Sequence, residues 1–557
     1  MGSVSILRSR RRLAGERHAM LGVERELRAC DPLRQRKYLR NFYEAFSRYD
    51  RAIDTADLQA ELRAADIILI GDYHALPAAQ HFAAQVARTL AGNSIPVALG
   101  LEAVFARDQT WLDAWQVGKI TGEELRHRLH FDACWGYDWQ PWLSLLEICR
   151  DAGAKVWGLD CPPRNDMRAI AARDRHAAAK IAEIRQHQPA AKVVALMGES
   201  HCAPQHLPRE LKRERPTDKL LTLLQNVDAL YRQSAAGGEP PSAVRVAPDI
   251  FCVFNATPLE KYESYRLCVE RWRQERPSAP DLRPSFMNLL DALLHFLRIE
   301  KYSSHNTTQP RFLVDLLPEI CARPTVAALN LALERLGLSR EAAQRSTDRA
   351  RAQGSLYLPE CNVIAALRFE IAQAAEDVTR FLHRACHGAL RKLPAEAPAV
   401  DDDSFYRAAV EQALAYFGSR ILYPARPSVR ESDLYALYAA DPEDLQRQTR
   451  IAHRDFMRAV DFLILHKDYE THARRYYQLP RLLAEGLDWG DRRRDYLIEK
   501  LGSMLGNELY DRYLEGTVSK RFIRGLFFRK LENAGAAREL YFLIAARTAP
   551  RFRRALN

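Results

Sequence analysis

The sequence predicts an α/β N-terminal domain with a mostly parallel sheet, followed by an all-α C-terminal region. Three observations carry that prediction. Before about residue 275, short apolar runs of strand length alternate with stretches of helical periodicity, the pattern of βαβ units. Around residues 276–285 prolines at 277, 280 and 284 break any helix and composition changes. Beyond them helical periodicity dominates to the C-terminus. A chain of 557 residues exceeds one ordinary core, so several domains are expected. The boundaries predicted are an extension over 1–31, the α/β domain over 32–275, a linker over 276–285 and the helical region over 286–557. A second Pro-rich break divides that region near 393–403.

Taken in order, residues 1–60 read as helix, with 33–48 charged and amphipathic. The run Ile67-Ile68-Leu69-Ile70 is a buried strand that ends in Gly71-Asp72-Tyr73-His74. A helix over 77–90 carries His81 and Gln85 one turn apart. The next strand, 95–102, ends in Gly100-Leu101-Glu102. Helices over 108–117 and 121–130 lead into the aromatic stretch Phe131 to Trp139, whose spacing fits neither period and reads as a packed loop. After a helix over 142–151, a strand over 155–160 ends in Asp160-Cys161-Pro162-Pro163-Arg164. A long helix over 165–186 precedes Lys192-Val193-Val194-Ala195-Leu196-Met197, which ends in Gly198-Glu199-Ser200-His201. Segments 220–231 and 249–255 read as further strands. In the second half, helices are predicted over 286–299, 324–336, 362–391, 405–417 and 447–465.

Composition narrows the function classes. A hydrophobic content of 47% with 27% charged residues is that of a globular chain. The net charge of +11 comes largely from arginines scattered along the chain, which gives no localised nucleic-acid signal. Ten cysteines without a Cys-x-x-Cys spacing exclude the common zinc-ribbon and haem c attachment motifs and predict reduced thiols in a cytoplasmic protein. No secretory signal, lipidation site or membrane-length apolar run is visible. Neither a phosphate-binding glycine loop, a dinucleotide fingerprint nor a Gly-x-Ser-x-Gly elbow occurs, which disfavours nucleotide and serine-hydrolase chemistry.

The chemistry is expected where the two Gly-x-x-His turns meet. In an open parallel sheet, ligands sit outside the carboxyl ends of the strands, so both turns can face one pocket. Asp72, His74, Glu102, Glu199 and His201 would then form the catalytic group. Imidazoles with carboxylates suit a divalent metal, and equally a general base oriented by an acid. The plainer reading is that polar strand ends merely meet solvent.

The residues Gly71-Asp72-Tyr73-His74, His81, Gln85, Gly100-Leu101-Glu102, Pro163-Arg164 and Gly198-Glu199-Ser200-His201 resemble the ChaN-like haem-binding-uptake family of the Tiki superfamily, related to TraB-type proteins and erythromycin esterases. The resemblance covers about residues 32–275. It implies an α/β fold with a site at the strand ends, with His74, Glu102 and His201 in the roles usual there, including metal ligation. Superfamily members include metal-dependent proteases and ester hydrolases, while ChaN is a haem-binding lipoprotein. Asp72 stands where the family usually has Glu, and Asp160 where Asn is common.

The preferred reading is a metal-assisted or His/carboxylate hydrolase of an ester or peptide. Arg164 could clamp a substrate carboxylate or phosphate, or simply pair with Asp160 or Asp166. Tyr73 could ligate ferric haem, stabilise an oxyanion or pack, and His81 is a third substrate-binding candidate. The first alternative is a non-enzymatic haem or iron binder using the Trp135-to-Trp139 aromatics as a platform. The second is an interaction scaffold with a vestigial pocket. The partners expected are a small-molecule or peptide substrate and a homo-oligomer, with no specific nucleic acid and no membrane span. In the helical half, His383 and His387 have the spacing of a helical metal pair but lack the metalloprotease acid. Residues 466–472 read as a solvated face, and 519–530 as an amphipathic helix capped by cations.

Overall fold

The computed structural model describes residues 8, 11–30, 37–164, 170–235, 240–273, 280–303, 309–387, 402–472, 490–531 and 533–549. It divides into two compact units, one of Val23–Pro280 and one of Met1–Gly22 with Asp281–Asn557.

The first unit is built on an eight-stranded sheet of β1 (Arg51–Ile53), β2 (Ile67–Asp72), β3 (Val97–Phe105), β4 (Lys155–Asp160), β5 (Lys192–Gly198), β6 (Leu220–Gln225), β7 (Ala243–Ala247) and β8 (Ile250–Val253), in the order β1-β7-β8-β6-β2-β5-β3-β4. The neighbours from β8 through β4 are parallel, whereas β7 is antiparallel to both β8 and β1. Parallel strands covered on both faces need apolar side chains on both, and the core divides accordingly. Ile68, Ile70, Leu99, Leu101, Val194 and Leu196 face one apolar layer, with the helices Pro77–Gly92 and Trp139–Asp151. Ile67, Leu69, Ala98, Val193, Ala195 and Met197 face the other, with the helices Ile170–His187 and Leu207–Glu214. The two sets alternate along each strand, as the pleat requires.

Several expectations are corrected here. The stretch 220–231 is a strand only to Gln225; Asn226 turns with φ 51°, and Asp228–Ala235 is a helix. Strand β1 at the edge of the sheet and β7 beside it were not foreseen, being short and carrying Arg51 and Arg245. The aromatic stretch begins with a short helix, Phe131–Cys134, and Trp139 already opens the next one.

The second unit is largely helical. Its core helices include Arg283–Leu297, Ile371–Cys386, Asp402–Leu422, His453–His472, Asp491–Glu515 and Ala536–Thr548. A Cβ on Gly506 would lie 2.3 Å from the Ala413 carbonyl oxygen, so only glycine lets these two helices approach so closely. A small sheet of β9 (Glu319–Ala322), β10 (Ser355–Leu358) and β11 (Val363–Ala366), in the order β10-β11-β9, interrupts the helical pattern; part of the predicted 362–391 helix is therefore strand. The predicted 447–465 helix is two, Pro442–Thr449 and His453–His472. Nor is 466–472 a solvated face, because His466 and Lys467 are buried. The predicted break near 393–403 lies mostly outside the described residues. No helix among the described residues is long and apolar enough to cross a membrane.

Candidate functional site at the strand ends

Strand order brings the two Gly-x-x-His turns together. β5 lies between β2 and β3, with Asp72 in register with Gly198 across the first pair. The C-terminal ends of β2, β5, β3 and β4 are therefore adjacent, and their polar residues converge.

His74 is fixed by its own turn. Its Nδ1 lies 2.6 Å from Asp72 Oδ2, and Gln80, on the helix that follows, donates to the other oxygen at 2.6 Å. This sets the tautomer: Nδ1–H donates to the carboxylate, leaving the Nε2 lone pair open. Nε2 points to Glu102 Oε2 at 3.9 Å. The His74 side chain is 22% exposed, and Trp135 and Tyr137 pack on its ring with centroids 4.4 and 5.2 Å away. Burial drives the Asp72 carboxyl above its usual range against the pull of His74. Burial alone would depress the His74 imidazole, but the charges of Asp72 and Glu102 outweigh it and raise it.

His201 is held differently. Its Nδ1 is 2.5 Å from Asp174 and its Nε2 3.2 Å from Glu102, with the side chain only 3% exposed. Burial opposes its charge, yet the two carboxylates push the imidazole up to about 10. It is an imidazolium between two acids at neutral pH.

Glu102 is the hub. Its oxygens accept from Arg173 at 2.6 Å and from the Gly198 amide at 2.5 Å, besides facing both histidines. Although burial works against ionisation, His201, His74 and Arg173 hold the carboxyl well below its usual range. Gly198 is required by this crowding, since a Cβ there would lie 3.2 Å from Glu102 Oε2 and from the His74 ring. Arg173 also reaches Asp160 at 2.8 Å, completing a buried layer behind the histidines.

The remaining expected residues lie around this centre. Arg164 donates to Asp160 at 2.6 Å and to the Glu102 carbonyl at 2.6 Å, with its guanidinium over Phe105 and Trp135, so it braces the strand ends. Glu199 receives Lys261 at 2.9 Å; burial raises its carboxyl despite that ammonium. Tyr73 lies under the Lys261 ammonium and against Tyr265. His81 is not in the cluster: it bonds Gln85 at 3.0 Å and lines a separate shallow groove with Gln140 and Leu145.

Gln80, Arg173, Asp174 and Lys261 escaped sequence reasoning. A signal existed for two of them. Arg173 and Asp174 fall inside the stripe Ile170, Ala177, Ala178 and Ile181, which faces the sheet.

The donor set does not fit a metal on His74, Glu102 and His201. Both His201 nitrogens and both Glu102 oxygens are already engaged by protein partners. Among the described residues no group of three or more His, Cys, Asp and Glu is arranged to hold a metal ion. For haem, the groups at hand are Tyr73, His74 and the aromatics Trp135, Tyr137 and Trp272, the last 44% exposed.

Comparison with known proteins finds a family match over part of this unit. Residues 58–171 match the family described as "Haem-binding uptake, Tiki superfamily, ChaN". That match takes in Asp72, His74, Glu102 and Arg164 and ends before Arg173, Asp174 and His201. No curated protein matches. Among solved structures, "Cofacial heme binding to ChaN of Campylobacter jejuni" is 17% identical with a TM-score of 0.25, over 32% of this chain and 87% of that one. "The structure of the type III effector HopBA1" is 16% identical with a TM-score of 0.29, over 37% of this chain and 96% of that one. The α/β unit of this chain carries a ChaN-like domain of the Tiki superfamily.

Proposed function

We propose that the α/β unit is a His/carboxylate hydrolase of ester or peptide substrates, with His74 as general base. The observation that carries this reading is the Asp72–His74 pair at 2.6 Å on a strand end, with Gln80 fixing the second carboxylate oxygen and the ring partly open to solvent. A base needs an oriented imidazole, a free nitrogen and access to water, and His74 meets all three. Asp72 holds the tautomer and stabilises the imidazolium that forms, as an acid does in any acid–His pair. His201, charged and sealed between Glu102 and Asp174, would not take a proton; its role is to keep Glu102 ionised. Glu102 in turn favours the protonated His74 that follows water activation. Glu199, Tyr73 and Arg164 form the rim that would meet substrate. No step passes through a metal.

The test is turnover of a p-nitrophenyl ester series and a mixed peptide library by the full chain, with His74→Ala beside it. Turnover that survives chelator and is lost in His74→Ala supports the proposal; equal turnover in both refutes it. A second reading, haem binding, draws on the aromatic wall against His74 and on the family description. A Soret band on titration with haemin, lost in His74→Ala or Tyr73→Phe and accompanied by no hydrolysis, would favour it.

A further inference from the structure

Within the helical unit, a cavity of about 710 Å³ is lined by Arg340, Arg345, Arg450, Arg492 and Arg493. It takes no part in the chemistry proposed above. Against these five arginines the lining sets three acids, Glu341, Asp455 and Asp491. Asp491 is held by Arg345 at 2.6 Å and Asp455 by Arg493 at 3.3 Å, while Arg450 turns to Asp348 at 2.5 Å. Arg340 and Arg492 have no carboxylate partner among the described residues, and both are exposed.

Three helices also begin here: Arg340–Gln353, His453–His472 and Asp491–Glu515. The first turn of a helix leaves N–H groups without intrahelical partners and carries the positive end of the dipole, which together favour anions. Ser339 caps the first helix by accepting from the Ala342 amide. The residues preceding the other two are Ala452 and Gly490, neither of which has a side-chain oxygen to offer, and both line the cavity. Spare guanidinium forks and the helix start at Gly490, which has no side-chain cap, thus line one space from separate elements. Among the described residues the only apolar lining is Ile451 and Ala452, so none of these stacks a base or buries an acyl chain. The volume is that of a small-molecule site.

We propose that this cleft binds a polyphosphate group, recognised through its phosphates alone. Guanidinium forks match phosphate oxygens in pairs, and two spare forks beyond the paired ones suit a ligand with at least two phosphates. The group could be free or borne by a nucleoside, and the experiment separates these sources.

The test is calorimetric titration of the full chain with tripolyphosphate, ATP, GTP and orthophosphate at low and moderate salt. Tripolyphosphate should bind saturably and more weakly as salt rises; ATP and GTP should match it closely, and orthophosphate should bind far more weakly. The double variant Arg340→Ala/Arg492→Ala should lose about tenfold or more in affinity. Ala452→Asp separates binding from folding, because a carboxylate at the helix start should hold or raise Tm while abolishing binding. Arg529→Ala, which lines a different cavity of the same unit, should change nothing. The proposal is overturned if no saturable binding occurs at millimolar ligand. It is also overturned if Arg529→Ala weakens binding as much as the double variant, if Ala452→Asp binds normally, or if one nucleotide binds about tenfold tighter than tripolyphosphate, since a base would then be read.

Discussion

Two buried networks among the described residues pair a histidine with carboxylates and a cation. At the strand ends these are His74, His201, Asp72, Glu102, Asp174 and Arg173. In the helical unit, Lys467 bridges Glu470 at 2.5 Å and Glu508 at 2.8 Å, His466 lies 3.0 Å from Glu470, and the Tyr406 and Tyr541 hydroxyls close the group. Each has strongly perturbed groups, so perturbation alone does not distinguish them. What does is access. The His74 side chain is 22% exposed with Nε2 open, whereas His466 is fully buried with both ring nitrogens engaged. The strand ends also bring groups from four elements to one edge, where the chain must leave the sheet and face outwards. The helical network lies among apolar side chains of a bundle and reads as structural.

The largest effect expected follows directly. His74→Ala should lower hydrolysis about 10²–10⁴-fold, the usual worth of a positioned general base, with little change in Tm because the ring is at the rim. His466→Leu, assayed well below its own melting temperature, should leave hydrolysis untouched. Loss of turnover in His466→Leu would erase the distinction.

Stability should show the reverse emphasis. Lys467→Met strands Glu470 in the core, and removing one partner of a buried pair costs about 3–5 kcal/mol. The double variant Lys467→Met/Glu470→Leu should recover much of that loss, since a well-packed apolar replacement is often neutral. Urea midpoints measure both. Neither variant should alter hydrolysis at low temperature, so a proportional loss of activity would tie the two networks together.

The same contrast has a pH signature with opposite signs. His201 is raised to about 10 from an ordinary 6.5: burial opposes its charge, and Glu102 and Asp174 overcome it. Its stabilisation is complete below pH 6.5 and is lost as pH rises through about 10. Glu470 is lowered to about 2 from an ordinary 4.5: burial again opposes, and Lys467 and His466 prevail. Its stabilisation is present above pH 4.5 and is lost as pH falls through about 2. By proton linkage the His201 limb is worth on the order of 5 kcal/mol and the Glu470 limb on the order of 3 kcal/mol. Seven of the eight tryptophans precede residue 281, so their fluorescence follows the α/β unit. Melts by tryptophan emission should weaken towards alkali and flatten in His201→Gln; melts by far-UV CD should weaken towards acid and flatten in Glu470→Gln.

Much of this was legible in the chain. Uninterrupted apolar runs ending in glycine marked β2, β3 and β5, because strands covered on both faces need no polar alternation. Their adjacency was not, since periodicity gives the element and not its place in the sheet; β5 sits between β2 and β3 only through crossovers. Arg173, Asp174 and Lys261 looked like ordinary helix-surface charges, and so did His466 and Lys467. For all but Lys261 the helical stripe told otherwise: His466 and Lys467 fall three to four residues beyond Phe462 and Leu463, both buried. A charged residue on the apolar stripe of a helix signals a buried pair, but its partner, coming from a distant element, leaves no mark nearby.

The smallest effect tests how closely the strand-end site is fitted. Gly198 has ordinary backbone angles, so no left-handed turn demands glycine there. What demands it is space: a Cβ would meet Glu102 Oε2 and the His74 ring, all at 3.2 Å, a few tenths of an ångström inside comfortable contact. Glu102 cannot retreat easily, because Arg173, His201 and the Gly198 amide hold it from three sides. His74 is hydrogen-bonded through Nδ1 alone, its ring otherwise held by packing on Trp135 and Tyr137, and it is partly open, so it should yield. Gly198→Ala should therefore cost about 1 kcal/mol in stability, at the low end of overpacking, and lower kcat roughly tenfold by tilting the base, with KM little changed. Restoring room with Glu102→Asp should not rescue the rate, because the shorter side chain withdraws the charge that favours protonated His74. A Gly198→Ala variant with unchanged kcat would mean that the imbalance in anchoring between Glu102 and His74 does not govern the site.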